Sequence, residues 1–174
     1  VMLSPQHAIQ CSEAGSCDGG NAGGLLQFIH KNGIVDETCN PYLAKNRECS
    51  GPFAECYTCN RDGGCVALKT FRRYYVDQFG TVEGEENMKA EIYARGPIVA
   101  SIHDPASLKA WNSSGVYKDP SGEKWATHNV AIIGYGTYQG TNYWQIANSW
   151  GTAWNNPEGG YVKVIRGVDN LGIE

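Results

Sequence analysis

Two short stretches in the second half of the chain hold side chains that can move protons. The first is Thr127-His128-Asn129-Val130-Ala131-Ile132-Ile133-Gly134-Tyr135-Gly136, in which a histidine opens an apolar run that ends in a Gly-Tyr-Gly turn. The second is Asn148-Ser149-Trp150-Gly151, which follows the run Tyr143-Trp144-Gln145-Ile146-Ala147. If these runs are neighbouring strands, His128 and Asn148 lie side by side. An amide oxygen accepting from an imidazole N–H would fix the ring's tautomer and its aim, as a general base requires. Trp150 would shield that bond from water and strengthen it. A lone histidine at a strand edge is ordinarily structural, and the partnership with Asn148 is what makes His128 a candidate. His7, His30 and His103 lack such a setting and are read as surface residues.

The first half offers a different chemistry. Gly15-Ser16-Cys17-Asp18-Gly19-Gly20-Asn21 carries paired glycines, which let a backbone come close to another group. A phosphate loop does not fit, because no G-K-[ST] follows and G-x-G-x-x-G is absent. A tight turn before a helix is the plainer reading. All seven cysteines (Cys11, Cys17, Cys39, Cys49, Cys56, Cys59 and Cys65) lie in the first 65 residues. Seven is odd, so at least one has no partner within these residues. The pattern points to a disulfide framework in an oxidising compartment. Cys56-Tyr57-Thr58-Cys59 has the spacing of a zinc knuckle, but no second ligand pair stands at a matching distance. Asn112-Ser113-Ser114 is a glycosylation acceptor triplet, with Asn112 the candidate.

The elements that must position these residues fall into two parts. Residues 1–82 read as loop-rich, with a helix opening at Ser4-Pro5 and another over Gly24 to Lys31, stopped by Asn32-Gly33. No periodicity runs from Cys39 to Cys65. Residues 83–174 read as a helix over Glu85 to Arg95, ended by Gly96-Pro97. Short β-type runs follow at Ile98 to Ile102, Val116 to Lys118, Asn129 to Tyr135, Tyr143 to Ala147 and Tyr161 to Ile165. The expectation is an α+β architecture: a helical, disulfide-held lobe and a lobe built on a small antiparallel sheet or barrel.

Composition excludes several classes. Of 174 residues, 41% are hydrophobic and 18% charged, a globular balance. The net charge is −4 and no Lys/Arg run occurs, so there is no electrostatic footprint for nucleic acid. No apolar stretch approaches the roughly 20 residues of a membrane span. The 22 glycines follow no strict period, which excludes collagen.

Together these motifs resemble the papain family of cysteine peptidases, over almost the whole chain. Leu3-Ser4-Pro5-Gln6, Cys11, the Gly15–Asn21 stretch, His128 with its Gly-Tyr-Gly strand end, Asn148-Ser149-Trp150-Gly151 and Trp154 carry the resemblance. Asp36-Glu37-Thr38-Cys39-Asn40-Pro41-Tyr42, Cys49, Cys56 and Thr58-Cys59-Asn60 are similar to one carboxypeptidase branch of that family. The resemblance implies a papain-like two-lobe α+β fold. It implies His128 as general base and acid, Asn148 as its orienter and Trp150 as the cover of their bond. Trp154 would line the leaving-group side, and Gly19 and Gly20 would bind substrate backbone. It also implies the pairs Cys11–Cys49, Cys39–Cys56 and Cys59–Cys65, leaving Cys17 to a partner outside the chain. Peptide or protein substrates are the expected partners, with a propeptide or proteinaceous inhibitors. No metal or organic cofactor is implied, and the compartment would be lysosomal, endosomal-vacuolar or extracellular.

One departure is large. No C-G-S-C-W nucleophile motif occurs in these residues. In the papain pattern the nucleophile lies roughly 130–150 residues ahead of its histidine, which from His128 falls before Val1. The expectation is that the segment bearing the nucleophile lies upstream and that residues 1–174 alone are inactive. An endopeptidase, or a non-catalytic peptide-binding module on the same fold, are the alternatives. Smaller departures are Ala100, where the branch has a cysteine, and Asn155-Asn156-Pro157, which lengthen the turn after Trp154.

Overall fold

A computed structural model describes residues 1–174. The chain divides into two units, Val1–Gly80 and Thr81–Glu174. They are held together by different means.

In the first unit, helix α1 (Pro5–Cys11) starts as its sequence dictates. The Ser4 hydroxyl caps it by accepting from the His7 N–H at 2.9 Å, and Pro5 fills the first helical position, where no N–H is needed. Two-residue strands β1 (Gly15–Ser16) and β2 (Gly19–Gly20) pair antiparallel. Here the glycines serve each other: a Cβ on Gly15 would lie 2.6 Å from the Gly20 Cα. Helix α2 (Ala22–Asn32) follows, capped by the Asn21 side chain, and Gly33 at φ 77° ends it. It begins two residues ahead of the sequence expectation because the Asn21 cap outweighs the poor helix propensity of Gly23 and Gly24.

The cysteine-rich loop contains a hairpin that its sequence does not announce. Strands β3 (Tyr57–Cys59) and β4 (Cys65–Ala67) pair antiparallel, with Cys59 opposite Cys65. The disulfides are Cys11–Cys49, Cys39–Cys56 and Cys59–Cys65, and Cys17 is free and exposed. The buried face of α1 is polar: Gln6, His7 and Gln10. Each is tied to the loop, as buried polar groups must be. Gln6 donates to the Lys45 carbonyl and accepts from the Leu43 N–H, Gln10 donates to the Phe53 carbonyl, and His7 meets Glu55. His7 is therefore wholly buried, against the surface position expected for it. The reason is the absence of an apolar stripe on α1, which hid the helix's inner face.

The second unit has one apolar core. Helix α3 (Glu85–Arg95) sets Met88 and Ile92 inward. Strand β5 (Ile98–Ile102) leads to the short helix α4 (Ala106–Lys109), then to β6 (Val116–Tyr117), β7 (His128–Tyr138), β8 (Thr141–Ala147) and β9 (Tyr161–Ile165). The sheet order is β5-β7-β8-β9-β6. Alternation puts Val130 and Ile132, Trp144 and Ile146, and Val162 and Val164 inside, with Trp144 wholly buried. The sheet does not close into a barrel, so barrel-like describes it only loosely: β5 and β6 are its two edges, and the connection through α4 carries β6 to the far edge, where it runs parallel to β9.

Candidate active site

His128 is the first residue of β7, and Asn148 directly follows the last residue of β8. The two strands are hydrogen-bonded neighbours with Ala131 opposite Ala147, so the register brings these ends together. His128 Nε2 lies 2.8 Å from Asn148 Oδ1. The Ser149 backbone N–H also donates to Oδ1, at 2.8 Å. A backbone N–H can only donate, so this atom is the amide's acceptor oxygen. Nε2 must then carry the hydrogen, which leaves Nδ1 as the nitrogen able to take a proton.

Trp150 stacks on the imidazole, with centroids 5.0 Å apart and planes at 24°. Trp154 meets Trp150 edge-on at 5.0 Å. The indole N–H of Trp154 donates to the Lys109 carbonyl at 3.0 Å. The turn beyond it is fixed by Asn155, which sits at φ 43° and is buried. Its Oδ1 accepts from the Ser113 N–H and its amide donates to the Tyr161 carbonyl. The residues that lengthen this turn in sequence thus anchor the Trp154 end of the site.

Three residues beside His128 were not singled out by sequence reasoning. Thr127 donates from its backbone N–H to the Ile102 carbonyl, which seats the chain one residue before the histidine. Asp104 gives its N–H to the Thr127 hydroxyl and accepts from that hydroxyl on its carboxylate. Lys109 Nζ lies 3.0 Å from the other carboxylate oxygen. Burial pushes the Asp104 carboxyl up, but the Thr127 hydroxyl, the Lys109 ammonium and the charge of His128 outweigh it and hold it below the ordinary range. The only sequence signal was Asp104-Pro105 closing a strand, which is also an ordinary turn.

In the first unit, Gly19 and Gly20 are exposed, and nothing lies near the position a Gly19 Cβ would take. Cys17 donates its N–H to the Asn46 side chain. Asn112 is exposed, as a glycosylation acceptor must be.

An imidazole oriented by an amide under a tryptophan, on an open sheet, in a chain that also carries a disulfide-bound helical unit, defines a class of proteins. The whole chain, residues 1–174, matches the family described as Papain family cysteine protease, and the chain belongs to that family. Cathepsin Z of Onchocerca volvulus is 38% identical over 169 residues, which are 95% of this chain and 53% of that protein. Cathepsin Z is the other name of cathepsin X, the branch whose cysteine pattern this chain resembles. A gut-specific cysteine proteinase of Caenorhabditis elegans is 31% identical and covers 99% of this chain and 56% of its own. Among solved structures, procathepsin B S9 from Trypanosoma congolense superposes with a TM-score of 0.80 at 29% identity, over 99% of this chain and 57% of that one. The bromelain protease of Ananas comosus gives 0.77 at 26% identity, over 99% and 72%. The chain thus spans about half the length of the curated relatives it matches. No helix is long and apolar enough to cross a membrane.

Proposed function

We propose that these residues carry the base half of a cysteine peptidase, and that the nucleophilic cysteine lies outside residues 1–174. The His128–Asn148 hydrogen bond carries the reading, because it leaves Nδ1 free to hold a thiol's proton. In the complete protein, His128 Nδ1 takes the proton of the cysteine thiol, and the thiolate attacks the scissile carbonyl. The tetrahedral oxyanion is held by hydrogen-bond donors. The C–N bond breaks as Nδ1 returns its proton to the leaving amine, and a thioester remains. Water then attacks the thioester, giving its proton to Nδ1, and the thiol is regenerated.

Trp154 lines the leaving-group side, and Gly19 and Gly20 offer main-chain hydrogen bonds to an extended peptide. The cysteine pattern shared with the cathepsin X branch supports a carboxypeptidase that removes C-terminal residues. Three disulfides support a lysosomal, endosomal-vacuolar or extracellular setting.

The test uses the full-length protein that contains this chain. His128→Ala reduces peptide hydrolysis to background. A peptidyl epoxide labels a cysteine outside residues 1–174 in the wild type and none in the variant. Hydrolysis that survives in His128→Ala, or His128-dependent labelling of Cys17, overturns the assignment.

A further inference from the structure

His128 opens β7 opposite Ile102, the last residue of β5, and an ion pair stands just beyond this corner. Asp104 lies two residues past Ile102. Its backbone N–H donates to the Thr127 hydroxyl at 3.0 Å, and that hydroxyl donates to carboxylate Oδ1. The Thr127 N–H donates to the Ile102 carbonyl at 2.9 Å. The residue before the histidine is thus tied by three hydrogen bonds to the end of β5 and the chain that continues it. The other carboxylate oxygen, Oδ2, lies 3.0 Å from Lys109 Nζ on α4. The anion is the inner member of the pair: the Asp104 side chain is 16% exposed and that of Lys109 57%.

So exposed a pair contributes little to stability. Helix α4 keeps its hydrogen bonds to the Pro105 carbonyl without it. A carboxylate with both oxygens held is instead a stationary charge. Burial works against ionisation of Asp104, and the Thr127 hydroxyl, the Lys109 ammonium and the charge of His128 overcome it. Such a coupling is mutual: an anion that a nearby cation helps to ionise favours that cation in return. Lys109, one contact further out, opposes it. The remaining groups around the ring leave this pair as the source of charge. Asn148, just past β8, and Trp150, in the loop beyond it, are uncharged. His103 turns its ring to Trp125, and Lys124 pairs with Asp169.

We propose that Asp104 is a positioning residue for His128. Through Thr127 it seats the histidine at the start of β7, and its carboxylate is the fixed anion that supports the imidazolium formed when the nucleophilic thiol gives up its proton. Lys109 trims that charge from outside. This rests on the base role given to His128 above, and the experiment separates the two.

The test is the pH profile of kcat/KM in the full-length enzyme, whose alkaline limb reports loss of the proton held by the thiolate and imidazole together. Asp104→Asn keeps the shape and removes the charge. It moves that limb to lower pH by about half a unit, below the shift of a direct charge contact because the pair is partly exposed and screened. Lys109→Met removes the opposing charge and moves the limb to higher pH. Added salt shrinks both displacements. Thr127→Val lowers kcat/KM about tenfold, the cost of a small displacement of the ring, and Thr127→Ser restores it. Displacements of the same sign in Asp104→Asn and Lys109→Met, or profiles lowered at every pH with the limb unmoved, mark a merely structural pair and overturn the inference. Equal losses in Thr127→Val and Thr127→Ser overturn the seating. Should Asp104→Asn not fold, the exposed Lys109→Met decides, and an unmoved limb there overturns the inference. Peptide hydrolysis that survives in His128→Ala brings down the base role itself, before any limb is compared.

Discussion

Asn148 holds its place in the site through a shared acceptor. Its Oδ1 takes two hydrogens, one from the Ser149 backbone and one from His128. The backbone donor fixes the amide, and the amide fixes the ring. Removing the amide leaves His128 under Trp150 but free to turn about its Cβ–Cγ bond. In the full-length enzyme, Asn148→Ala is expected to lower kcat/KM about 10- to 100-fold, the scale of a small misplacement of a catalytic group. Asn148→Asp keeps an acceptor oxygen and is expected to lose less. Steady-state kinetics on the pair checks this, and equal losses in both variants count against an orienting role. The side-by-side placement was legible in the sequence because His128 opens one apolar run that reads as a strand and Asn148 follows the end of another, and antiparallel neighbours bring such ends together. Thr127, Asp104 and Lys109 were not, because their contacts join β5, α4 and β7 and leave no local pattern.

At the scale of elements, α1 shows what sequence reading misses. The Ser4-Pro5 signal places the helix start, and the structure agrees to the residue. The helix's inner face went unseen because its buried residues are polar, and their partners lie 37 to 48 positions away. His7 is the most consequential of them. Its Nε2 faces Glu55 at 3.2 Å, and its Nδ1 is buried without a hydrogen-bond partner. Burial pushes the imidazole below its ordinary 6.5, against the pull of Glu55 in the other direction. The unfolded chain therefore takes up a proton below about pH 6.5 that the folded chain resists, and stability falls as pH falls from there. Glu55 acts in a lower window. Burial raises its carboxyl, but Arg73 and His7 draw it below 4.5, so its stabilising share is lost only as pH falls beneath that value. Of these two, only His7 acts between 6.5 and 4.5. Thermal melts of this chain from pH 7.5 to 5 are expected to show a falling Tm, and His7→Gln is expected to flatten the slope whatever its effect at neutral pH. An unchanged slope in His7→Gln would remove His7 from the account.

The whole molecule combines two strategies for staying folded. Thr81–Glu174 buries one apolar cluster, from Met88 to Ile173, and contains no cysteine. Its strands were legible because period-2 runs of β-branched and aromatic residues mark half-buried sheet. Val1–Gly80 buries only Ile29, Ile34, Val35 and Cys56 among its apolar side chains. It relies on three cross-links that close sequence separations of 38, 17 and 6 residues. A small unit without a sufficient core depends on such staples, and the longest loop gains the most from closure. Its β3–β4 hairpin was not legible because three-residue strands carry too few positions to show a period, and Cys59–Cys65 does the pairing that a hydrophobic face does elsewhere. The two units should therefore part company under reduction. In a thiol reductant at neutral pH, amide hydrogen exchange is expected to accelerate throughout Val1–Gly80, while β5, β7, β8 and β9 keep their protection. Simultaneous loss of protection in both units would show that the disulfides support the whole chain. The expected result has a functional consequence, because His128, Asn148, Trp150 and Trp154 all belong to the unit that reduction spares. The proposed base and its orienter would keep their geometry in a reducing compartment, and the part lost first would be the one that carries Gly19 and Gly20, the proposed contacts for substrate backbone.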